Sequence, residues 1–111
     1  MIKASFKRDS QNRITDFILT GHADYGEDDE LDIVCSAVSV ISIGTNNSIE
    51  KLVGVEPKVK LDEKNGGYLE LHVDYDNSET INHDVALLLE NFNLIYKSIV
   101  EQYPVFVQYV D

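Results

Sequence analysis

The chain has 111 residues, 43% of them hydrophobic, and its 20 acidic and 9 basic side chains give a net charge of −11. This length and apolar content suffice for one hydrophobic core, so we expect a single domain over residues 1–111. Affinity for nucleic acid rests mainly on Lys and Arg, so the acidic excess argues against direct nucleic-acid binding. Polar residues interrupt the apolar stretches before they reach membrane-spanning length, which argues against membrane insertion.

The first half of the chain predicts a β-hairpin followed by a long helix. Apolar and polar residues alternate over residues 2–7 and again over residues 14–20, with turn residues between them. The acidic segment 24–30 has no periodicity and predicts a loop. A helix is predicted to begin at Asp32, its N-cap, and to end before Gly54. Its predicted buried stripe, at steps of three and four, consists of Val34, Val38, Ile41, Thr45, Ser48, Ile49 and Leu52.

The second half repeats this coarse pattern and adds a strand. Residues 59–61 and 69–73 alternate on either side of Asn65-Gly66-Gly67, which is typical of a hairpin with an Asn-Gly turn. A second helix is predicted from about residue 82 to residue 102, and a short strand over residues 105–110. The order ββαββαβ predicts an α/β fold of the α+β type, with a mixed β-sheet of about five strands and two helices.

Cys35 is the single cysteine, and it lies close to the predicted start of the first helix. Unpaired N–H groups and the helix dipole favour an anion there, which lowers a thiol pKa. His22 lies just after the second predicted strand and before the acidic loop, so that loop could bring its imidazole to the thiol as a base and acid. A lone cysteine beside valines is also a common buried hydrophobe, and both interpretations stay open at this point.

Other polar side chains have narrower interpretations. Asp32 either caps the helix or turns inward to orient an imidazole, and these roles are not exclusive. Ser39 lies one turn after Cys35 and would face the same cleft. Neither His72 nor His83 has cysteine or carboxylate neighbours at metal-ligand spacing, so we expect no metal site. The sequence contains no phosphate-binding loop or dinucleotide fingerprint.

The segments Gly21-His22-Ala23 and Asp32-Ile33-Val34-Cys35, joined by an acidic Gly-containing loop and followed by Ser39, resemble the ribosomal-processing cysteine protease family, Prp. The resemblance continues through Thr45-Asn46-Asn47-Ser48-Ile49 and the Asn-Gly-Gly turn to the second helix, so it covers essentially the whole chain. One minor departure is Ser36, where the family more often has alanine.

The resemblance implies one cysteine protease domain without a cofactor. Cys35 would be the nucleophile, His22 the general base and acid, and Asp32 a supporting residue. Ser39 and Gly21 would contribute to the substrate site. Members of the family are cytoplasmic homodimers that remove an N-terminal extension from one large-subunit ribosomal protein (number twenty-seven), cutting after paired aromatic residues and before an alanine.

Two features of the chain agree with these implications. One cysteine cannot form an internal disulfide, and the N-terminus lacks the composition of a signal peptide, so we expect a reducing cytoplasm. The charge of −11 would attract a basic ribosomal protein.

The role of the acidic loop 24–30 and the function of the chain both have alternatives at this point. The loop is either a lid that closes over a peptide or a static connection. The chain could be a non-catalytic, acidic, ribosome-associated binding module with Cys35 merely buried. It could instead be an assembly protein whose exposed tyrosines form a dimer interface.

Overall fold

The structure, a computed structural model, describes residues 1–26 and 28–110. The elements are β1 (Ile2–Arg8), β2 (Ile14–Thr20), α1 (Asp29–Ser48) with a π-helical turn (Ile49–Val53), β3 (Lys58–Asp62), β4 (Tyr68–His72), α2 (Glu79–Gln102) and β5 (Val107–Tyr109). The five strands form one sheet in the order β3-β4-β2-β1-β5. β1 is antiparallel to β2 and parallel to β5, so the predicted mixed sheet and ββαββαβ order are confirmed.

One face of the sheet is covered by both helices. Alternate residues of the strands are buried and aligned across the sheet, as in the row Ala4, Leu19 and Leu69, and they share one core cluster with residues of α1 and α2. The rings of Phe17 and Phe92 lie 4.5 Å apart at the centre. Such an aromatic pair adds about 0.5–1.5 kcal/mol to the free energy of burial, so it helps to fix α2 on the sheet. None of the helices in the described ranges is long and apolar enough to cross a membrane.

The first helix begins three residues earlier than the sequence predicted. Asp28 is its N-cap, and the carboxylate accepts hydrogen bonds from the N–H groups of Glu30 at 2.8 Å and Leu31 at 3.2 Å. Asp29 and Glu30, predicted as loop, form the first turn, where carboxylates are favoured by the helix dipole. The prediction that Asp32 is the N-cap is therefore wrong. Glu27, a further member of the predicted loop, lies outside the described residues.

The end of the first helix also differs from the prediction. The N–H group of Gly54 donates a hydrogen bond to the carbonyl oxygen of Ile49 at 3.1 Å. This bond closes a π-helical turn, which contains one more residue than a turn of α-helix. This turn rotates Leu52, predicted as buried, to 77% exposure. Within α1, Ser42 is buried although it was not part of the predicted stripe. The second helix begins at Glu79, after the N-cap Ser78, rather than near residue 82. The last strand is shorter than predicted, Val107–Tyr109.

The other face of the sheet is polar. Its side chains include Lys7, Asp16, His72 and Lys58, which lie in one row across four strands. His72 Nδ1 lies 2.9 Å from Asp16 Oδ2, and its Nε2 lies 2.9 Å from Asp74 Oδ1. Only the protonated imidazole can donate from both nitrogens. Hydrogen bonds to Asp74 and then to Asp16 accordingly raise the pKa of His72.

We expect His72→Gln to change stability in a pH-dependent way. Because the pKa of His72 is higher in the folded chain than the value near 6.5 in the unfolded chain, its ion pairs stabilise the fold below about pH 6.5. This contribution is lost as the pH rises through the folded value. The difference in urea midpoint between the two proteins should therefore be largest near pH 6 and shrink towards about pH 8. The matched control is His83→Gln, at a side chain 72% exposed. A difference independent of pH would contradict the expectation.

Candidate active site

The segment after β2 is fixed by a glycine and two backbone hydrogen bonds. Gly21 has φ +82°, and a Cβ there would lie 2.0 Å from Met1 O, so only glycine fits. Its N–H donates to Gly67 O at 3.1 Å, and Ala23 N–H donates to Gly66 O at 2.8 Å. The pairing between β2 and β4 therefore continues beyond both strands. His22 is held between these two anchored residues.

The imidazole of His22 packs against the β3–β4 turn. The side chain is 5% exposed. A Cβ at Gly67, whose φ is +94°, would lie 3.0 Å from His22 Cε1 and 2.9 Å from Ala23 Cβ. Gly67 thus leaves the space that the ring occupies. The sequence predicted this glycine only as part of the hairpin turn; the second glycine directly after Asn-Gly was the available signal for a further role.

Helix α1 meets the same segment through Cys35 and Ser39. Cys35 Sγ lies 3.7 Å from Gly21 O, and Ser39 Oγ donates to His22 O at 3.4 Å. The two side chains are one helical turn apart, so they contact neighbouring peptide units. The structure thus gathers Gly21, His22, Cys35 and Ser39 in one place. In the described part of the chain, no hydrogen bond joins the sulfur to the imidazole.

The thiol is buried and uncharged in this conformation. Cys35 is 0% exposed and is the seventh residue of α1, beyond the unpaired N–H groups of the first turn. Burial raises the pKa of the Cys35 thiol, a hydrogen bond from the backbone of Asp24 opposes this, and the carboxylates of Asp24 and Asp32 raise it further. The predicted lowering of the thiol pKa by the helix start is therefore wrong for this conformation.

The imidazole is neutral as well. Burial lowers the pKa of His22, and the charge of Glu63 partly offsets this. The Nδ1 atom is buried and has no hydrogen-bond partner among residues 1–26 and 28–110. A neutral imidazole can accept a proton from a thiol, so its protonation state suits a general base.

Asp32 holds the loop that precedes α1. Its Oδ1 accepts a hydrogen bond from Gly26 N–H at 2.8 Å. In the described ranges no hydrogen bond links this carboxylate to the His22 ring. Asp32 therefore neither caps the helix nor orients the imidazole in this conformation; it fixes the loop that carries Tyr25 and Gly26.

A cavity of about 240 Å³ opens beside His22 and Ser39. Ala23, Tyr25 and Glu63 also line it, together with the apolar side chains of Ile43, Leu61 and Leu69. Cys35 does not line this cavity, since its sulfur contacts the Gly21 carbonyl behind it. His22 and Ser39 thus line this cavity, whereas the fully buried Cys35 does not. No group of three or more His, Cys, Asp or Glu side chains in the described part of the chain is arranged to hold a metal ion.

Comparisons with known proteins identify a family for this chain. The family model described as Cysteine protease Prp matches residues 1–108. The ribosomal processing cysteine protease Prp of Staphylococcus aureus is 31% identical over 103 residues, which cover 93% of this chain and 92% of the relative.

Two crystal structures share the fold. SMU.848 from Streptococcus mutans has a TM-score of 0.89 at 34% identity, covering 98% of this chain and 91% of the other. The S. aureus ribosomal processing protease Prp in complex with a substrate peptide has a TM-score of 0.82 at 27% identity, covering 99% of this chain and 98% of the other. The match to the family model over nearly the whole length establishes that this chain belongs to the cysteine protease Prp family.

Proposed function

We propose that this chain is a cytoplasmic endopeptidase that removes the N-terminal extension of a large-subunit ribosomal protein (number twenty-seven). The observation that carries the proposal is the gathering of the single thiol, Cys35, and a buried neutral imidazole, His22, around one anchored segment beside an open cavity. The S. aureus relative is a ribosomal processing protease whose structure contains a substrate peptide. A basic ribosomal protein would be attracted by a chain of charge −11.

The proposed reaction divides peptide hydrolysis into two steps. His22 takes the thiol proton, and Cys35 sulfur attacks the scissile carbonyl carbon to form a tetrahedral oxyanion. The C–N bond then breaks, the His22 proton passes to the leaving amine, and a thioester remains on Cys35. Water, deprotonated by His22, attacks the thioester; the carboxylic acid leaves and the thiol is restored.

The buried thiol must become accessible before this reaction. The Cys35 sulfur lies against the Gly21 carbonyl and the backbone of Asp24, and the hydrogen bond between Asp32 and Gly26 holds the loop that follows. We propose that substrate displaces this loop as a lid. Loss of burial would also lower the thiol pKa towards its ordinary value, because burial is the main cause that raises it.

Burial of Cys35 also favours a second candidate function. A non-catalytic, ribosome-associated binding module would contain a fully buried, inert cysteine, as this conformation does. The two functions differ in whether the chain cleaves an extended ribosomal protein.

We expect Cys35→Ser to bind the substrate without cleaving it, because a serine hydroxyl is far less nucleophilic than a thiolate at this site. His22→Ala should lower the cleavage rate by about 10²–10⁴, the usual contribution of general acid–base catalysis. The measurement is incubation with the extended ribosomal protein followed by mass spectrometry of the products. His83→Ala, at an exposed position, is the control. Wild-type activity in Cys35→Ser, or absence of cleavage by the natural chain, would refute the protease.

Replacing Gly67 by alanine should displace the imidazole. The new Cβ would lie 3.0 Å from His22 Cε1, whereas a Cβ at Gly66 would lie 3.6 Å from its nearest neighbour, Gly21 Cα. Both variants carry the strain of a positive φ, and Gly67→Ala also brings its Cβ to 2.9 Å from Ala23 Cβ, so its loss of stability is expected to be the larger. Only Gly67→Ala should also lose activity, on the order of 10²-fold, because small misplacements of catalytic groups have effects of that size. Equal activity in the two variants, measured as kcat/KM, would contradict a positioning role for Gly67.

We also propose that the chain is a homodimer that buries the outer surface of its helices. Ile33 and Val40 on α1 are 65% and 69% exposed, and Leu87 and Leu94 on α2 are 58% and 63% exposed. Within each helix the two residues are seven apart, so they lie on one face. Apolar side chains exposed on two adjacent helices are suited to a self-complementary interface.

Light scattering at micromolar concentration should give twice the chain mass of 12.5 kDa. Leu94→Glu should shift the mass to that of a monomer, because a charge in an apolar interface is costly to desolvate. The matched control is Val105→Glu, at a residue 72% exposed in the turn before β5. A monomeric natural chain would rule out the dimer.

A further inference from the structure

A second cavity continues the one beside His22 along helix α1. Its volume is about 160 Å³. Ser42, Ile43 and Asn46 line it from α1, and residues of β3 and β4 line it from the sheet. Ile43, Leu61 and Leu69 line both cavities, so the two form one continuous depression between α1 and the β3–β4 hairpin. We call this depression the α1 trough.

Each end of the α1 trough contains a buried polar atom without a partner. His22 Nδ1 and Asn46 Oδ1 are the two buried side-chain nitrogen or oxygen atoms in the described ranges that have no hydrogen bond. Buried polar groups are normally paired, because an unpaired one loses its hydration without compensation. Their positions mark where a bound molecule could supply the missing hydrogen bonds.

The rim of the α1 trough is apolar and exposed. Ile43 is 45% exposed, Val59 41% and Leu61 52%, although each also lines the depression. The floor is formed by Leu69 and Leu71, which are buried. A large apolar side chain placed here would remove both sets of residues from water, and its area of contact would favour binding.

The dimensions of the α1 trough match an extended peptide. Ser39 and Asn46 are about two helical turns apart, or about 11 Å along α1. An extended chain advances about 3.3 Å per residue, so about three residues cover this distance. A peptide backbone also offers the N–H donors that a lone carbonyl oxygen on Asn46 needs.

We propose that the α1 trough is a specificity subsite for substrate, in which a large apolar residue about three positions from the residue beside His22 enters the depression and a nearby peptide N–H donates to Asn46 Oδ1. This inference rests on the proposed peptidase function. The occupant is the substrate chain rather than a second copy of the protein, since the trough is continuous with the cavity beside His22 and Ser39.

The test compares Asn46→Ala with Asn47→Ala, its exposed neighbour on α1. Binding of an extended substrate peptide is measured by fluorescence anisotropy in the Cys35→Ser background, and KM and kcat are measured in the natural background. Asn46→Ala should raise Kd and KM roughly three- to tenfold, the value of one hydrogen bond, with little change in kcat. Asn47→Ala should change neither. Because Asn46 Oδ1 is unpaired in the free chain, the urea midpoint of Asn46→Ala should not fall.

A second arm locates the apolar side chain. Peptides with alanine at each position in turn are bound to the Cys35→Ser protein with and without Leu61→Ala. At the peptide position that occupies the α1 trough, replacement by alanine should weaken binding less in the Leu61→Ala protein than in the protein that retains Leu61. Equal binding by the Asn46 and Asn47 variants, or independent effects at every peptide position, would overturn the subsite. A peptide that binds with this pattern but is never cleaved by the natural chain would support the subsite and refute the peptidase.

Discussion

Two backbone hydrogen bonds, from Gly21 to Gly67 and from Ala23 to Gly66, fix the position of the whole candidate site. They join the end of one hairpin to the turn of the other, so the imidazole between them is set by the register of the sheet rather than by a free loop. Close packing adds a second constraint, because neither Gly21 nor Gly67 has room for a Cβ. Helix α1 then meets an already ordered segment, to which Cys35 and Ser39 bond. The site is therefore built where three separate elements converge, although its residues are close in sequence.

Asp32 shows how one carboxylate couples the loop to the thiol. Its hydrogen bond holds Gly26, and its negative charge raises the pKa of Cys35 in the same direction as burial. Both effects favour an uncharged, covered sulfur. Displacing the loop would break the hydrogen bond and hydrate the site at once, so accessibility and ionisation of the thiol change together. Such coupling would make the reactivity of the sulfur depend on what occupies the neighbouring cavity.

The elements with a strong short-range signal could be predicted from the sequence. Both hairpins and the Asn-Gly turn follow from the alternation of apolar and polar residues, and β2 buries Phe17 and Leu19 on one face. The start of α1 could not be predicted in this way. Its first turn is rich in acidic residues, which the helix dipole stabilises but which give no periodic pattern of apolar residues. Leu52 was misplaced because the π-helical turn shifts the phase of the helix. The grouping of Cys35 with His22 was predictable from spacing and resemblance; the burial of the sulfur and the packing of Gly67 on the imidazole depend on tertiary contacts.

Burial of the Cys35 sulfur also affects how readily the protein is oxidised. Oxidation to sulfenic and then sulfinic acid proceeds from an accessible thiolate, and its rate follows both exposure and ionisation. A fully buried thiol with a raised pKa meets neither condition. Peroxide in solution therefore reacts slowly with Cys35 while no substrate is bound, and the single cysteine stays reduced. If substrate displaces the loop held by Asp32, vulnerability to oxidants would be confined to the interval of that displacement.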